Sequence, residues 1–367
     1  MKALGMVIYM LLILFSSDVV AQHDPEVVKD IVLDIKSKRD NPRNSEGDFI
    51  TLKGRRIMFL YSRYSGSSSG DFSPADLSVR FSDDGGKTWT DKDTVLVKNE
   101  GKMNIMSVSL LRMANDQIAM IYARKNSLDD CIPFIRISKD EGKTWGAAKP
   151  CITDEKGYFV VNNSRVKQLR NGRILLPVSM HKTAGKKWSN RGTIRCYFSD
   201  DNGISWKSGQ SVPNPDSVIT QEPGVVELKN GEIMMNMRAN GGVQYLSFSK
   251  DHAQSWSQVV PSTIPSPISP ATIARIPSTG DLILIWNNNG LKGEGYFKSK
   301  RTPLTIAVSK DEGKTWQHRK IIEKDPDGTF CYTAVHFFKD YVLLGYGMGA
   351  GLEDCRIVRI KLTDIYN

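Results

Sequence analysis

The chain has 367 residues, of which 40% are hydrophobic and 25% charged, a balance typical of folded proteins and not of disordered ones. Lys and Arg number 50 against 40 Asp and Glu, which gives a formal net charge of +10. These basic residues are scattered and form no runs, which argues against a nucleic-acid partner and favours an acidic glycan.

The N-terminal segment, residues 1–21, is predicted to be a signal peptide. Lys2 precedes an apolar core over residues 7–15, and the small residue Ala21 offers a cleavage site before Gln22. The apolar core is too short to span a membrane. We therefore expect a secreted or periplasmic protein without a membrane span. Residues 22–367 are expected to form a single domain, and the protein is expected to be a monomer.

A short pattern, Ser-x-Asp-x-Gly-x-Thr/Ser-Trp, follows β-type residues at five places in the chain. Each copy predicts a tight hairpin turn, because its Asp accepts hydrogen bonds from turn amides and its Gly takes a conformation costly for other residues. The fourth copy has Ala253 in place of Gly, so we expect a looser or differently shaped turn there. The copies, called boxes below, begin at Ser82, Ser138, Ser199, Ser249 and Ser309.

A second repeat consists of an apolar strand, a polar turn and another apolar strand. Its six turns lie at residues 53–55, 115–117, 170–172, 229–231, 278–280 and 339–340. Six such hairpins with five boxes predict an all-β fold, a six-bladed β-propeller of four-stranded antiparallel blades. The last blade lacks a box, and we expect residues 27–35 to pair with its outer strand, 356–360, and close the ring.

The five cysteines and the histidines show no spacing typical of a metal site, so we expect neither a metal nor a cofactor. The odd number of cysteines leaves open whether one disulfide forms. Cys131 and Cys151 flank the second box and are the pair we consider for it.

Two parts of the second half of the chain resemble bacterial exo-sialidases, the neuraminidase family of propellers with Asp-box or BNR repeats. In the first part, Glu222 precedes a Val-Glu-Leu-x-x-Gly hairpin and Arg238 follows the next apolar strand. In the second part, Arg301 leads into the fifth box and Tyr332 lies in the sequence Gly-Thr-Phe-Cys-Tyr-Thr-Ala. The resemblance implies that Tyr332 is a nucleophile activated by Glu222, and that Arg238 and Arg301 bind a substrate carboxylate.

The chemistry of sialic acid fits this set of residues independently. Its carboxylate is attached to the anomeric carbon and would repel an anionic nucleophile. A phenol stays neutral until a neighbouring carboxylate takes its proton. The planar guanidinium of arginine pairs with a carboxylate through two hydrogen bonds and stays charged at any working pH.

The first blade departs from the family pattern, because the Arg-Ile-Pro tripeptide that usually carries the third arginine is absent. We assign that role to Arg43, in Pro-Arg-Asn-Ser-Glu-Gly-Asp. The acid/base aspartate is assigned to Asp71 in a Gly/Ser-rich loop, in preference to Asp76, which lies beside a strand. The last blade also lacks a glutamate that supports the arginine. Either Glu46 replaces it or the pocket is built differently.

Three further polar residues are considered as substrate contacts, although loop polarity explains them about as well. They are Arg63, Asn163 and Arg165. The resulting hypothesis is a retaining exo-glycosidase that releases terminal α-linked sialic acid from glycoconjugates. Two alternatives remain open: a hydrolase or lyase acting on another acidic sugar, such as a uronate or a 2-keto acid, and a propeller that binds glycan without catalysis.

Overall fold

The polar turns and apolar runs of the sequence fold into an all-β structure with almost no helix. The computed structural model describes residues 24–216, 218–290 and 300–367. The predicted signal peptide lies outside these ranges. Helix α1 (Leu362–Tyr366) is a short turn near the C-terminus. No helix in the described ranges is long and apolar enough to cross a membrane.

After a first strand, β1 (Asp30–Ile35), the chain forms six consecutive units. Units one to three comprise β2 (Asn44–Thr51), β3 (Ile57–Tyr64), β4 (Ala75–Ser82) and β5 (Thr94–Val97); β6 (Asn104–Arg112), β7 (Ile118–Ser127), β8 (Asp130–Ser138) and β9 (Lys149–Pro150); and β10 (Gly157–Val160), β11 (Lys167–Gln168), β12 (Ile174–Thr183), β13 (Thr193–Ser199) and β14 (Lys207–Ser208). Units four to six comprise β15 (Thr220–Glu227), β16 (Ile233–Ala239), β17 (Val243–Ser249) and β18 (Val260–Pro265); β19 (Thr272–Arg275), β20 (Leu282–Asn287), β21 (Leu304–Ser309) and β22 (Gln317–Glu323); and β23 (Cys331–Phe338), β24 (Tyr341–Met348) and β25 (Asp354–Lys361).

Units one, four and five are four-stranded antiparallel sheets with their strands in chain order. Unit six is completed by β1, which pairs antiparallel with β25 and places Ile35 opposite Cys355. The prediction that the N-terminal segment pairs with the last outer strand is therefore confirmed. Units two and three share one nine-stranded sheet, which differs from the prediction of separate blades. The reason is a parallel bridge from Tyr158, at the start of β10, to Cys131 on β8.

Six apolar clusters pack between the units. Five of them combine buried side chains from two units that are consecutive along the chain. The sixth joins unit six to unit one through Phe49, Phe59, Leu343 and Ile357. Strands such as β20 and β21 are buried on both faces, because clusters lie on either side of them. This explains why their sequences are continuously apolar and do not alternate.

The boxes form the predicted hairpin turns. In the first box, Asp84 Oδ1 accepts hydrogen bonds from the amides of Lys87 and Thr88, each at 3.0 Å, and the amide of Gly86 donates to Ser82 Oγ at 2.9 Å. Ala253 in the fourth box makes the corresponding bond to Ser249 Oγ at 2.9 Å, with φ of 70°. The expectation of a differently shaped fourth turn is wrong, because alanine takes the left-handed conformation there.

All five cysteines are free and buried. Cys131 contributes to a small cluster with Tyr158, whereas Cys151 packs in the cluster between units two and three. The two thiols thus serve separate apolar clusters, and the disulfide considered for them does not form.

Candidate active site

One backbone feature recurs in the first strand of four units. The register shifts so that two residues oppose one on the neighbouring strand, which is a β-bulge. The first bulged residue has a positive φ in each case: Glu46 (55°), Ser107 (59°), Glu222 (47°) and Tyr332 (59°). Bulges redirect side chains, and these four all line a single pocket of about 240 Å³. The bulges thus bring residues from distant parts of the sequence into one site.

Tyr332 and Glu222 form the centre of this pocket. The phenol of Tyr332 donates to Glu222 Oε1 at 3.4 Å, and Arg238 Nη1 donates to the same oxygen at 2.9 Å. Both side chains of the Glu222–Arg238 pair are nearly buried. The second carboxylate oxygen of Glu222 accepts no hydrogen bond from the described residues. Arg238 therefore fixes the position of Glu222, whose Oε1 also accepts from the phenol and whose Oε2 can accept a further proton or hydrogen bond.

The guanidinium of Arg301 lies next to Tyr332, with its Cζ atom 5.6 Å from the centre of the phenol ring. Burial raises the pKa of Tyr332 well above its ordinary value, and the negative charge of Glu222 adds to this, while the charges of Arg301 and Arg238 act in the opposite direction. The phenol is therefore neutral at working pH, and a base must take its proton before it can attack an electrophile.

Arg43 lies at the start of unit one, and the two terminal nitrogens of its guanidinium bond two different carboxylates. Nη1 donates to Asp71 Oδ1 at 2.6 Å, and Nη2 donates to Glu46 Oε1 at 3.0 Å. Glu46 is buried, and its burial raises its pKa despite the nearby charge of Arg43. The salt bridge from Glu46 to Arg43 supplies a carboxylate where the sequence lacked the one expected in the last blade.

Asp76 does not point into the pocket: its Oδ1 accepts the amide of Asn99 at 2.7 Å. The structure also accounts for the three additional polar residues through contacts within the protein. Arg63 pairs with Asp93 at 3.4 Å, and Arg165 donates to Thr272 Oγ1 and to the carbonyl of Ala271, each at 3.0 Å. Asn163 donates to the carbonyls of Gly47 and Tyr332 and so fixes the backbone of two bulges.

The opposite wall of the pocket was not anticipated. It is formed mainly by units two and three, with the side chains of Met106, Ala123, Lys125, Cys131, Tyr158, His181 and Trp188, together with Phe72 of unit one. Trp188 is 46% exposed, stacks on His181 at 5.1 Å and has its Nε1 bonded to Asn190. Trp188 stands out in the sequence only as a tryptophan outside the boxes, for which sugar stacking or core packing was open, and its exposure argues against core packing. The other residues belong to ordinary apolar strands and polar loops, so no local pattern marked them.

No group of three or more His, Cys, Asp or Glu side chains in the described ranges has a geometry that would hold a metal ion. The groups that line the pocket include the carboxylates of Glu46, Asp71 and Glu222 and the phenols of Tyr158 and Tyr332.

The sequence matches the family described as BNR repeat-like domain over residues 59–344. The chain belongs to the BNR repeat-like domain family. All five boxes of this BNR-repeat protein, from Ser82 to Trp316, lie within the matched range.

Relatives of this BNR-repeat protein carry the name sialidase. The sialidase of Bacteroides fragilis is 25% identical over 240 residues, which cover 62% of this chain and 41% of that protein. The sialidase of Micromonospora viridifaciens is 26% identical over 239 residues, covering 60% and 34%. The chain thus spans less than half the length of these relatives. The resemblance to bacterial sialidases expected from the sequence is confirmed at the level of the family.

Solved structures show where the fold recurs. A Hadza microbial sialidase has a TM-score of 0.72 at 17% identity, covering 88% of this chain and 66% of that one. A Trypanosoma rangeli sialidase mutant displaying trans-sialidase activity has a TM-score of 0.70 at 16% identity, covering 93% and 60%. A protein of unknown function from Dyadobacter fermentans has a TM-score of 0.71 at 18% identity, covering 91% and 99%. These similarities establish a sialidase-like all-β fold.

Proposed function

We propose that the protein is a retaining exo-sialidase that hydrolyses terminal α-linked sialic acid. The observation that carries this proposal is the Tyr332–Glu222 pair, with a phenol 3.4 Å from a carboxylate that Arg238 holds at 2.9 Å. A phenol next to a base suits attack on an anomeric carbon that already bears a negative charge. The names of the relatives support the same substrate class.

In this mechanism Arg43, Arg238 and Arg301 bind the substrate carboxylate and orient the anomeric carbon. Glu222 takes the proton of Tyr332 as the phenol oxygen forms a bond to that carbon. Asp71 gives its proton to the leaving oxygen as the glycosidic bond breaks. Asp71 then takes a proton from the attacking water, and the phenol recovers its own from Glu222 as the sugar leaves. Two displacements at the same carbon retain the anomeric configuration.

We also infer that the six units are blades of a closed propeller. The cluster that joins unit six to unit one supports closure, as does the pairing of β1 with β25. In such a ring the first strands of all units surround the central mouth. Glu46, Glu222 and Tyr332 lie on the first strands of three units and share one pocket, which supports this arrangement.

The N-terminal apolar segment supports export of the chain to the periplasm or the medium, where a monomer would meet sialylated or other acidic glycans. The measurement that checks export is the mass of the mature product, which we expect to begin at Gln22.

The proposed activity is tested by release of a fluorescent aglycone from an aryl α-sialoside. We expect Tyr332→Phe to lower kcat by roughly 10³- to 10⁶-fold, because it removes the oxygen that forms the bond to the anomeric carbon. Arg301→Ala removes charge-assisted hydrogen bonds worth about 1.5–3 kcal/mol, so we expect kcat/KM to fall roughly 10- to 100-fold.

Tyr341→Phe and Arg170→Ala are matched controls, because Tyr341 packs under Arg359 and Arg170 bonds Glu227 at the surface, away from the pocket. Both should keep wild-type rates. Folded wild-type protein without turnover would reject the sialidase proposal and favour another acidic sugar or a binding role. NMR of the first product should show the α-anomer; the β-anomer would contradict a retaining mechanism.

A further inference from the structure

The contacts of Arg43 show which of its hydrogen-bond partners an incoming anion could displace. Its Nε donates to Ser45 Oγ at 3.1 Å and its Nη2 to Glu46 Oε1 at 3.0 Å, and both of these partners are buried. Its Nη1 donates to Asp71 Oδ1 at 2.6 Å, and the side chain of Asp71 is 62% exposed. Asp71 makes the only one of these three side-chain contacts that an incoming anion can displace without disturbing the interior. Nη1 also donates to the main-chain carbonyl of Ser69, at the longer distance of 3.4 Å.

We propose that Asp71 holds Arg43 in the free protein in the manner of a substrate carboxylate, and that substrate binding displaces Asp71 and thereby converts it into the acid. This inference rests on the proposed function. It assigns the Asp71–Arg43 ion pair a role before catalysis, whereas the mechanism above uses Asp71 only during catalysis.

The backbone around Asp71 permits such an exchange without opening of the loop. Its main-chain carbonyl accepts hydrogen bonds from Lys125 Nζ and Asn104 Nδ2, each at 2.8 Å. Asn104 Nδ2 also donates to the carbonyl of Ser73 at 2.9 Å, and the ring of Phe72 lies 4.9 Å from Lys125 Nζ. Both donors come from unit two and are buried. The carboxyl group can therefore move by side-chain rotation about a fixed main chain.

The charges around Asp71 explain why the exchange changes its protonation. Partial desolvation beside the pocket wall raises the pKa of Asp71, but the neighbouring cations, Arg43 first and then Lys125 and Arg301, outweigh it and hold the pKa below its usual range. Glu46 is the facing carboxyl group, and Tyr64 and Tyr158 are the facing phenols, whose pKa values burial raises.

When a ligand carboxylate binds Arg43, Asp71 loses its ion pair with that guanidinium. The ligand also brings a negative charge close to the carboxyl group of Asp71. Both changes raise the pKa of Asp71, so the carboxyl group takes up a proton from solvent when the ligand binds. Affinity for a carboxylate ligand falls as the pH rises through the interval between the pKa of Asp71 in the free protein and that in the complex.

The test is isothermal titration calorimetry of the mature protein with a 2,3-unsaturated sialic acid analogue, which binds but is not hydrolysed. Titrations run around pH 5, above the ordinary carboxyl pKa of about 4, in two buffers that differ in ionisation enthalpy. We expect the wild-type protein to take up about one proton for each ligand molecule bound. Asp71→Asn should take up none and bind at least as tightly, because the competing carboxylate is gone.

Asp76→Asn is the matched control on the same stretch of chain, and it should take up the same proton as wild type. Binding by wild type without proton uptake would overturn the exchange while leaving the sialidase proposal intact. Uptake that persists in Asp71→Asn would also overturn it and would point to Glu46. Absence of both binding and aryl sialoside hydrolysis in wild type would reject the proposed function, and the exchange with it.

Discussion

At the scale of single residues, Glu46, Glu222 and Tyr332 share an unusual backbone conformation. Each has a positive φ between 47° and 59°, which costs a residue other than glycine roughly 1–2 kcal/mol. Strained residues of this kind cluster at functional sites, where the surrounding structure fixes them. Asn163 is part of that surrounding structure, since it bonds the carbonyl of Tyr332 at 3.0 Å. Because turn residues outside the pocket, such as Arg55 and Asp116, share this conformation, the functional role rests on the convergence of the three bulged residues on one pocket.

Lys125 provides a test at this scale, because it bonds the main-chain carbonyl of Asp71, the proposed acid, and not its carboxyl group. We expect Lys125→Met to lower kcat about tenfold with little change in KM, since loss of a buried hydrogen bond costs about 1–3 kcal/mol and the misplaced acid acts only in the transition state. Steady-state kinetics with an aryl sialoside measures this split.

Lys102→Met is a suitable control for the lost charge, because Lys102 is an exposed lysine of the same unit. It should leave both constants unchanged. A rise in KM alone, or a lower melting temperature with normal kcat, would show that Lys125 has a binding or structural role and does not position Asp71.

At the scale of elements, the boxes make the protein sensitive to acid. Burial raises the pKa of Asp84, but hydrogen bonds from Thr88, Ser82 and Lys87 outweigh it and lower the pKa to about 2, against an ordinary value of 3.8. A carboxylate whose pKa is lower in the folded protein than in the unfolded chain stabilises the fold at pH values above the unfolded pKa. For Asp84 this stabilisation is lost as the pH falls from 3.8 to about 2.

We therefore expect Asp84→Asn to lower the melting temperature at pH 6 and to flatten its fall between pH 4 and pH 2. Asp83→Asn is a matched control in the same turn, because Asp83 is exposed and bonds Arg56 but none of the turn amides. Thermal melts across this pH range compare the three proteins. Equal acid sensitivity in all of them would show that the box carboxylate does not set it.

The elements were predictable from the sequence where their signals are local. Box turns and inner hairpins depend on turn residues a few positions apart, and the pairing of β1 follows from a missing outer strand. The bulges were not predictable, because Ser-Glu-Gly, Gln-Glu-Pro and Cys-Tyr-Thr share no turn chemistry. The bridge between Tyr158 and Cys131 and the contact of Lys125 with Asp71 each join different units, and no local pattern specifies such contacts.

At the scale of the whole molecule, the site depends on how the units are arranged. Asp71 comes from unit one, Lys125 from unit two, Glu222 from unit four and Tyr332 from unit six, yet all four line one pocket. Packing between the units thus sets the distances among the four side chains on which the proposed mechanism depends. The junction between units six and one involves both chain ends, since β1 precedes unit one in the sequence but pairs with β25.

Two isoleucines of β1 test the importance of this junction. Ile35 is 4% exposed and packs in the cluster between units six and one, whereas Ile31 on the same strand is 51% exposed. Ile35→Ala should lower the free energy of unfolding by about 2–5 kcal/mol, and Ile31→Ala should change it by about 0.5 kcal/mol or less. Urea unfolding of the mature protein measures both values. If Ile35→Ala lowers the free energy of unfolding no more than Ile31→Ala does, β1 contributes little to the stability of the junction. A large difference would mean that β1 holds the first and last units together, and with them Asp71 and Tyr332.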